Sequence, residues 1–459
     1  MTLNPITFGF NLFGLAQADQ MNQHDLEQIQ RQRFQDIFRY AVEHSSFYQN
    51  KYKGKSSSGV VIDDLPIVTK KELMAHFNDW VTDPEIKLSS LKKFISDPVN
   101  IAKPYLEKYI VWESSGSSGI PGIFLQSTDA MSTYDALEYS RKSTWQKIHQ
   151  CLDPLCLSDR VAFVGVNSGH FASIVSFKRM IQSNSYLGGR FKSFSILDSH
   201  RKLIDQLNDF QPTILVTYPT AAISLAHAQK NGDLSLNLSE VLTGGENLTL
   251  TMRKHLKDIF SCKIINSYGA SEFLPIAWEC DAGRMHINAD WVILEPVDEN
   301  YLPVVDGKLS YTTLLTNLAN YVQPLIRYDL GDSVRINKKN CSCGCHLPTI
   351  DLQGRGDDIL KMRNKKGEWV DLLPLAISTI LEDELGIFDF QIKQEKTGQL
   401  IIFLSLSQKE GQLLMTKCKN SLNHYLSQQG LPPHKFIEKY DAQMTLGRSG
   451  KIKRILCHT

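Results

Sequence analysis

Along residues 22–53 apolar side chains return every three or four positions. Phe34, Ile37, Phe38, Ala41 and Val42 share one face, so this stretch predicts an amphipathic helix. After Ser114 the period shortens. The runs VAFVGV, TILVTY, EVLTGG and KIINSYG are separated by helix-like segments such as RKLIDQLNDF and TAAISLAHAQKNG. Strands alternating with helices predict an α/β chain with a largely parallel sheet. From about residue 285 to 350 the runs shorten and turn residues crowd in, predicting a β-rich subdomain. GRGDD at 354–358 reads as a break. Beyond it lies a tail of about a hundred residues with its own strand, LIIFLSLS, and helices. The expected architecture is a large N-terminal α/β domain with a β-rich subdomain, residues 1–354, and a small α+β C-terminal domain, residues 357–459. No internal repeat is visible, and KSSSG at 55–59 is the one low-complexity patch besides the Ser/Gly stretch discussed below.

Composition narrows the function classes. The chain has 459 residues, 42% hydrophobic and 22% charged, which suits a globular protein of two or more domains. A net charge of +1 argues against nucleic acid or an anionic membrane as the main partner. The N-terminus has an apolar patch without a basic start or a small-residue cleavage site, a poor signal peptide too short to span a bilayer. Nine cysteines without a secretion signal favour a reducing cytoplasm and free or metal-bound thiols.

WESSGSSGIPGIFL, residues 112–125, raises the chemical question. A Gly/Ser linker would have polar flanks. This one follows YIVW and precedes IFLQ, two expected strands, and such loops bind phosphate through backbone N–H groups and hydroxyls. A P-loop is excluded because no lysine follows Gly119. Downstream stand SYGASE (267–272), PLIRYDLGD (324–332), GRGDDILK (354–361) and GRSGKIKR (447–454). In this order they resemble the motifs of the adenylate-forming superfamily. DDLPIVTKKEL (63–73), LTGGENLT (242–249), WECDAGRMHIN (278–288) and CSCGCHLP (341–348) are similar to the phenylacetate–CoA ligase-like branch. One departure stands out: many superfamily members carry lysine where Gly122 stands.

The resemblance implies attack of a carboxylate on the α-phosphate of ATP, then transfer of the acyl group from the adenylate to a thiol. Both steps develop negative charge, so fixed positive charge and positioning carry the catalysis. It implies that Ser114, Ser115, Gly116, Ser117, Ser118 and Gly119 cradle phosphates. Ser271 meets the phosphate and Glu272 holds Mg²⁺ through oxygen ligation. Gly245, Glu246 and Tyr268 line the adenine slot, Asp332 accepts from the ribose hydroxyls and Arg355 reinforces the ribose or phosphate. Lys451 is the catalytic lysine, reaching carboxylate and α-phosphate from a mobile C-terminal domain that turns about Asp357.

Cys280, His286, Cys341 and Cys343 offer thiolates and an imidazole for a closed tetrahedral zinc, with Cys345 as substitute ligand; the same positions bind zinc in the branch. Tyr218, Pro219, Tyr268 and Gly269 give flat walls suited to an aromatic acid of benzoate, hydroxybenzoate or phenylacetate type, and His170 adds a polar group for a ring hydroxyl or the carboxylate. The acceptor is CoA or the phosphopantetheine of a carrier protein supplied in trans. The basic segment LKMRNKKGEWVDL departs from the relatives' CoA-binding loop and reads as an extended hairpin, which favours a carrier. A homodimer is the other protein partner considered. A non-catalytic zinc-binding interaction module is the competing reading from another class.

Overall fold

The computed structural model describes residues 5–55, 59–114, 121–353, 360–372, 374–381, 385–387, 390–440, 444–445 and 454–457. The helix expected over 22–53 is two helices, Gln23–His44 and Ser46–Lys51. Ser45 divides them: its extended backbone ends the first, and its hydroxyl accepts from Tyr48 N to cap the second. Leu26, Phe34, Ile37, Phe38 and Ala41 form the buried face.

Strands β1 (Ile110–Glu113) and β2 (Ile123–Gln126) make an antiparallel hairpin around the Ser/Gly loop, as its apolar flanks predict. The centre is a nine-stranded sheet. Strands β3 (Val161–Gly165), β4 (Phe191–Ser195), β5 (Ile214–Thr217), β6 (Glu240–Thr243) and β7 (Lys263–Ala270) run parallel in the spatial order β4-β3-β5-β6-β7. The sheet continues antiparallel through β8 (Phe273–Glu279) and β9 (Met285–Ile287). The three-stranded sheet of β10 (Val292–Val297), β11 (Thr312–Asn317) and β12 (Tyr328–Asp329) comes next in the chain. Strands β13 (Ser333–Asn337) and β14 (Thr349–Gln353) then close the far edge of the main sheet. Residues 285–350 are thus β-rich, as expected.

The parallel strands meet helices on both faces, but unequally. On one face Ala162, Val164, Leu215 and Val241 pack without a gap beneath helices His200–Phe210, Pro219–Asn231 and Leu250–Phe260. On the other, Val161 and Phe163 meet Phe177, whereas Val216, Leu242 and Ile265 are only half-buried. Parallel strands are normally covered on both sides. The incomplete cover leaves a chamber between this face and helices Thr128–Ser140, Thr144–Leu152 and Ala172–Ser183.

The C-terminal region is a smaller α+β unit. Hairpin β15 (Leu360–Arg363) and β16 (Trp369–Leu372) precedes a four-stranded sheet of β17 (Phe390–Gln394), β18 (Leu400–Leu404), β19 (Ile437–Lys439) and β20 (Ile455–Cys457), covered by helix Gln408–Gln428. It docks on the closed side of the main sheet. His227 Nδ1 lies 2.9 Å from the Asp371 carboxylate, and Gln429 accepts from His200 N and donates to Asp198 O. Among the described residues no helix is long and apolar enough to cross a membrane.

Candidate active site and metal centre

The C-terminal ends of the parallel strands open into a cleft continuous with the chamber, about 2500 Å³ in all. Strand ends of this kind are where open α/β sheets bind ligands. Strands β7 and β8 meet there through an irregular register between Tyr268 and Ala270. Gly269 lies inside it. A Cβ at that position would sit 1.8 Å from the Leu274 carbonyl oxygen, so only glycine permits this close passage of two backbones. The bulge presents Tyr268 and Ser271 to the cleft. Tyr268 donates to Asp332 Oδ2 at 2.9 Å; burial, then the Asp332 charge, holds the phenol protonated far above its usual range. Ser271 is fixed through its carbonyl, which accepts from Trp112 Nε1 at 2.8 Å. The Glu272 carboxylate accepts from Tyr328 at 2.6 Å, and its carbonyl accepts from Asn317 Nδ2 at 3.0 Å. Two sequence motifs, SYGASE and RYDLGD, are therefore tied together by two tyrosine–carboxylate hydrogen bonds.

Gly245 has φ +76° and lies against the Tyr218 ring, 3.1 Å from where a Cβ would stand. Both oxygens of Glu246 accept from Thr220, one from its N–H and one from its hydroxyl, each at 3.0 Å. Glu246 thus caps helix Pro219–Asn231, a placement that anchors the GGE loop beside Tyr218. Tyr218, Tyr268, Gly269 and Gly245 line the cleft. Pro219 and His170 do not. Pro219 is buried in the first helical turn. The His170 ring packs against Phe94, its N–H donates to Glu113 and its carbonyl accepts from Glu113 N, so it clamps the end of β1; burial pushes its pKa down. The helix after Tyr218 walls the outer cleft, and the chamber behind lies on the opposite face of the sheet.

The root of the Ser/Gly loop is described, and residues 115–119 lie outside the described residues, as do Arg355, Asp357 and Lys451. Ser114 and Gly122 pair across the root: Ser114 N donates to Gly122 O, and Gly122 N donates to Ser114 Oγ. A Cβ on Gly122 would meet the Phe124 ring at 2.6 Å and Ser114 Oγ at 3.1 Å. A lysine at that position would have to displace the ring. A cation arrives by another route. Residues around Val68 pair with Tyr328 of β12, which delivers Lys70 to the loop root, where Nζ donates to Ser114 Oγ at 3.2 Å. The sequence reading missed Lys70. A signal was present, because the pair Lys70 and Lys71 opens a helix where the macrodipole favours acids.

Cys280, His286, Cys341 and Cys343 converge at the β8–β9 end of the sheet, with all ligand atoms within 4.8 Å of one another. Cys280 and Cys341 sulfurs are 3.8 Å apart, close to the ~3.8 Å edge of a tetrahedron with metal–sulfur bonds of ~2.3 Å. His286 Nδ1 lies 2.8 Å from the Leu347 carbonyl, which puts the proton on Nδ1 and turns the Nε2 lone pair toward Cys343, 3.3 Å away. The donor set fits zinc. Cys345 stands outside the four and donates its N–H to the Cys343 sulfur. The basic segment forms the expected hairpin β15–β16, with Lys365 and Lys366 exposed at its turn.

The family described as AMP-binding enzyme matches residues 170–309. Protein CapK of Staphylococcus aureus is 25% identical over 392 residues, 84% of this chain and 79% of the relative. Phenylacetate-coenzyme A ligase of Pseudomonas putida is 28% identical over 176 residues, 35% of this chain and 38% of the relative. Among solved structures, 2-hydroxyisobutyryl-CoA ligase with 2-HIB-AMP and CoA in the thioesterification state has a TM-score of 0.61 at 18% identity, covering 96% of this chain and 91% of the ligase. Its postadenylation state with R3-HIB-AMP has a TM-score of 0.58, also at 18% identity, covering 96% and 92%. Residues 170–309 thus match the AMP-binding enzyme family, the fold is that of the acid–CoA ligase structures, and the ordered motifs resemble those of the adenylate-forming superfamily and its phenylacetate–CoA ligase-like branch.

Proposed function

We propose that the protein is an AMP-forming acid–thiol ligase. The carboxylate of the acid attacks the α-phosphate of ATP and pyrophosphate leaves; a thiol then attacks the acyl carbon and AMP leaves. The observation that carries this reading is the convergence of Lys70 with Ser114, Tyr268 with Asp332 and Glu272 with Tyr328 around one cleft at the strand ends.

In this reading Lys70 and the Ser114–Gly119 loop hold the β- and γ-phosphates. Ser271 meets a phosphate oxygen, and Glu272 supplies a hard oxygen for Mg²⁺, which neutralises phosphate charge when bound. Asp332, oriented by Tyr268, accepts from the ribose. Gly245 and Tyr268 flank the adenine, Arg355 supports the ribose or phosphate, and Lys451 reaches the α-phosphate from a C-terminal domain, residues 357–459, that turns about Asp357. Zinc held by Cys280, His286, Cys341 and Cys343 is structural, tying β8 and β9 to the segment before β14. The acid is of aryl type at its reacting end, where Tyr218 and Gly269 stand. The thiol belongs to CoA or to a carrier protein steered by Lys365 and Lys366, and the site of action is the cytoplasm.

The test is ATP–pyrophosphate exchange across a panel of acids with purified, metal-loaded protein. Exchange dependent on acid and Mg²⁺ is expected. Its absence with every acid overturns the ligase reading.

A further inference from the structure

Resting on that reading, we propose that the acid carries a hydrocarbon tail of roughly ten carbons beyond its reacting end, and that the chamber holds this tail against the open face of the parallel strands.

Strand register makes that face a regular wall. Phe163, Val216, Leu242 and Ile265 are register partners across β3, β5, β6 and β7, and all four line the chamber. They form an unbroken apolar row four strands wide. Two residues further from the cleft stand Val161 and Ile214, with Glu240 at the end of their row. The middle of the wall is only partly covered. Helix Ala172–Ser183 stacks Phe177 on Phe163 at the β3 side, and helix Thr128–Ser140 turns Met131, Tyr134 and Leu137 into the main core instead. Val216, Leu242 and Ile265 stay half-buried in interior strands, where a parallel sheet normally meets helices on both faces.

The opposite side of the chamber is polar, and its charges are met within the protein. Asp135 pairs with Arg179, and Arg141 is held by Asp19 and Asp290. Gln146 donates to Glu240 at 2.7 Å, and His149 Nδ1 lies 3.7 Å from Asp159. Asp153 accepts from Leu157 N and Ser158 N, Glu138 is exposed to solvent, and the Lys142 cation lies 5.7 Å from the Tyr139 ring. What the chamber leaves unmet is the apolar wall. A hydrocarbon laid on it supplies the burial that the helices do not, whereas a charged or hydroxylated tail would lose its own hydration there.

Depth sets the length. A Cβ on Gly165 would meet the Phe163 ring at 2.7 Å and the Tyr218 ring at 3.2 Å, so Tyr218 stands on this same face at the reacting end. Ile214 lies four residues before it. At ~3.3 Å per residue the wall is ~13 Å deep, which fits roughly ten methylene groups. An unsubstituted benzoate or phenylacetate would leave most of it in water.

The test is ATP–pyrophosphate exchange over linear acids from butanoate to tetradecanoate, with para-octylbenzoate against benzoate. kcat/KM is expected to rise about threefold per added methylene, the size of burying one such group, and to level off at roughly ten to twelve carbons. Ile214→Phe should shorten the preferred chain. Val216→Phe, ~7 Å nearer the reacting end, should shorten it further, an order that a general loss of stability does not produce. A flat or falling series in the unaltered protein, or a preferred length that both variants leave in place, overturns the assignment and leaves the ligase reading standing. Exchange with no acid at all removes both.

Discussion

On one face of the central sheet Leu215, Val241 and Ala162 are fully enclosed by helices; on the other, Val216, Leu242 and Ile265, from the same or neighbouring strands, border open space. Alternate residues of one strand thus serve different ends, because strand side chains point to opposite faces. The enclosed face holds the parallel strands together. The open face gives up packing, and what it gains is a walled volume leading to the strand ends where Tyr268 and Gly245 stand.

Leu215→Ala should destabilise by about 2–5 kcal/mol, since a fully enclosed leucine leaves a cavity. Leu242→Ala should lose distinctly less and instead change KM for the acid. Chemical denaturation beside exchange kinetics separates the two; equal losses from both would erase the distinction between the faces.

The open side has a second support at its edge. The thiolate and imidazole cluster joins β8 and β9, beyond the hollow, to the segment that leads into β14. Cys343→Ser is expected to lower bound zinc well below one per chain and to reduce the thermal midpoint by several degrees. Metal analysis and calorimetry check this, and intact protein without zinc would remove the cluster from the account.

The smallest effect concerns acidity at the far end of the chamber. Burial pushes the Glu240 carboxyl up to about 7, beside Gln146, Lys142, His149 and Asp159. A raised carboxyl binds its proton more tightly folded than unfolded, so its stabilising share is complete below about pH 4.5 and is lost as pH rises through about 7. Glu240→Gln should flatten that decline in stability over this window. An unchanged slope would mean that the carboxyl is well solvated, and that this end of the chamber is wetter than its walls imply.

Much of this was legible in residue order. Alternation of apolar runs with helical segments predicted the parallel strands, and the apolar flanks of the Ser/Gly stretch predicted β1 and β2, because local spacing alone sets which side chains share a face. The types of Cys280, His286, Cys341 and Cys343 named a candidate metal set, and the fold draws their ligand atoms within 4.8 Å of one another. Tertiary structure decided what depends on distant segments meeting. Lys70 reaches Ser114 only because Val68 pairs with Tyr328, some 260 residues later in the chain. His170 looked available for the acid, yet β1 claims it through Glu113. The chamber itself is a volume that no local pattern encodes, because a cavity is made by what several distant elements leave unfilled.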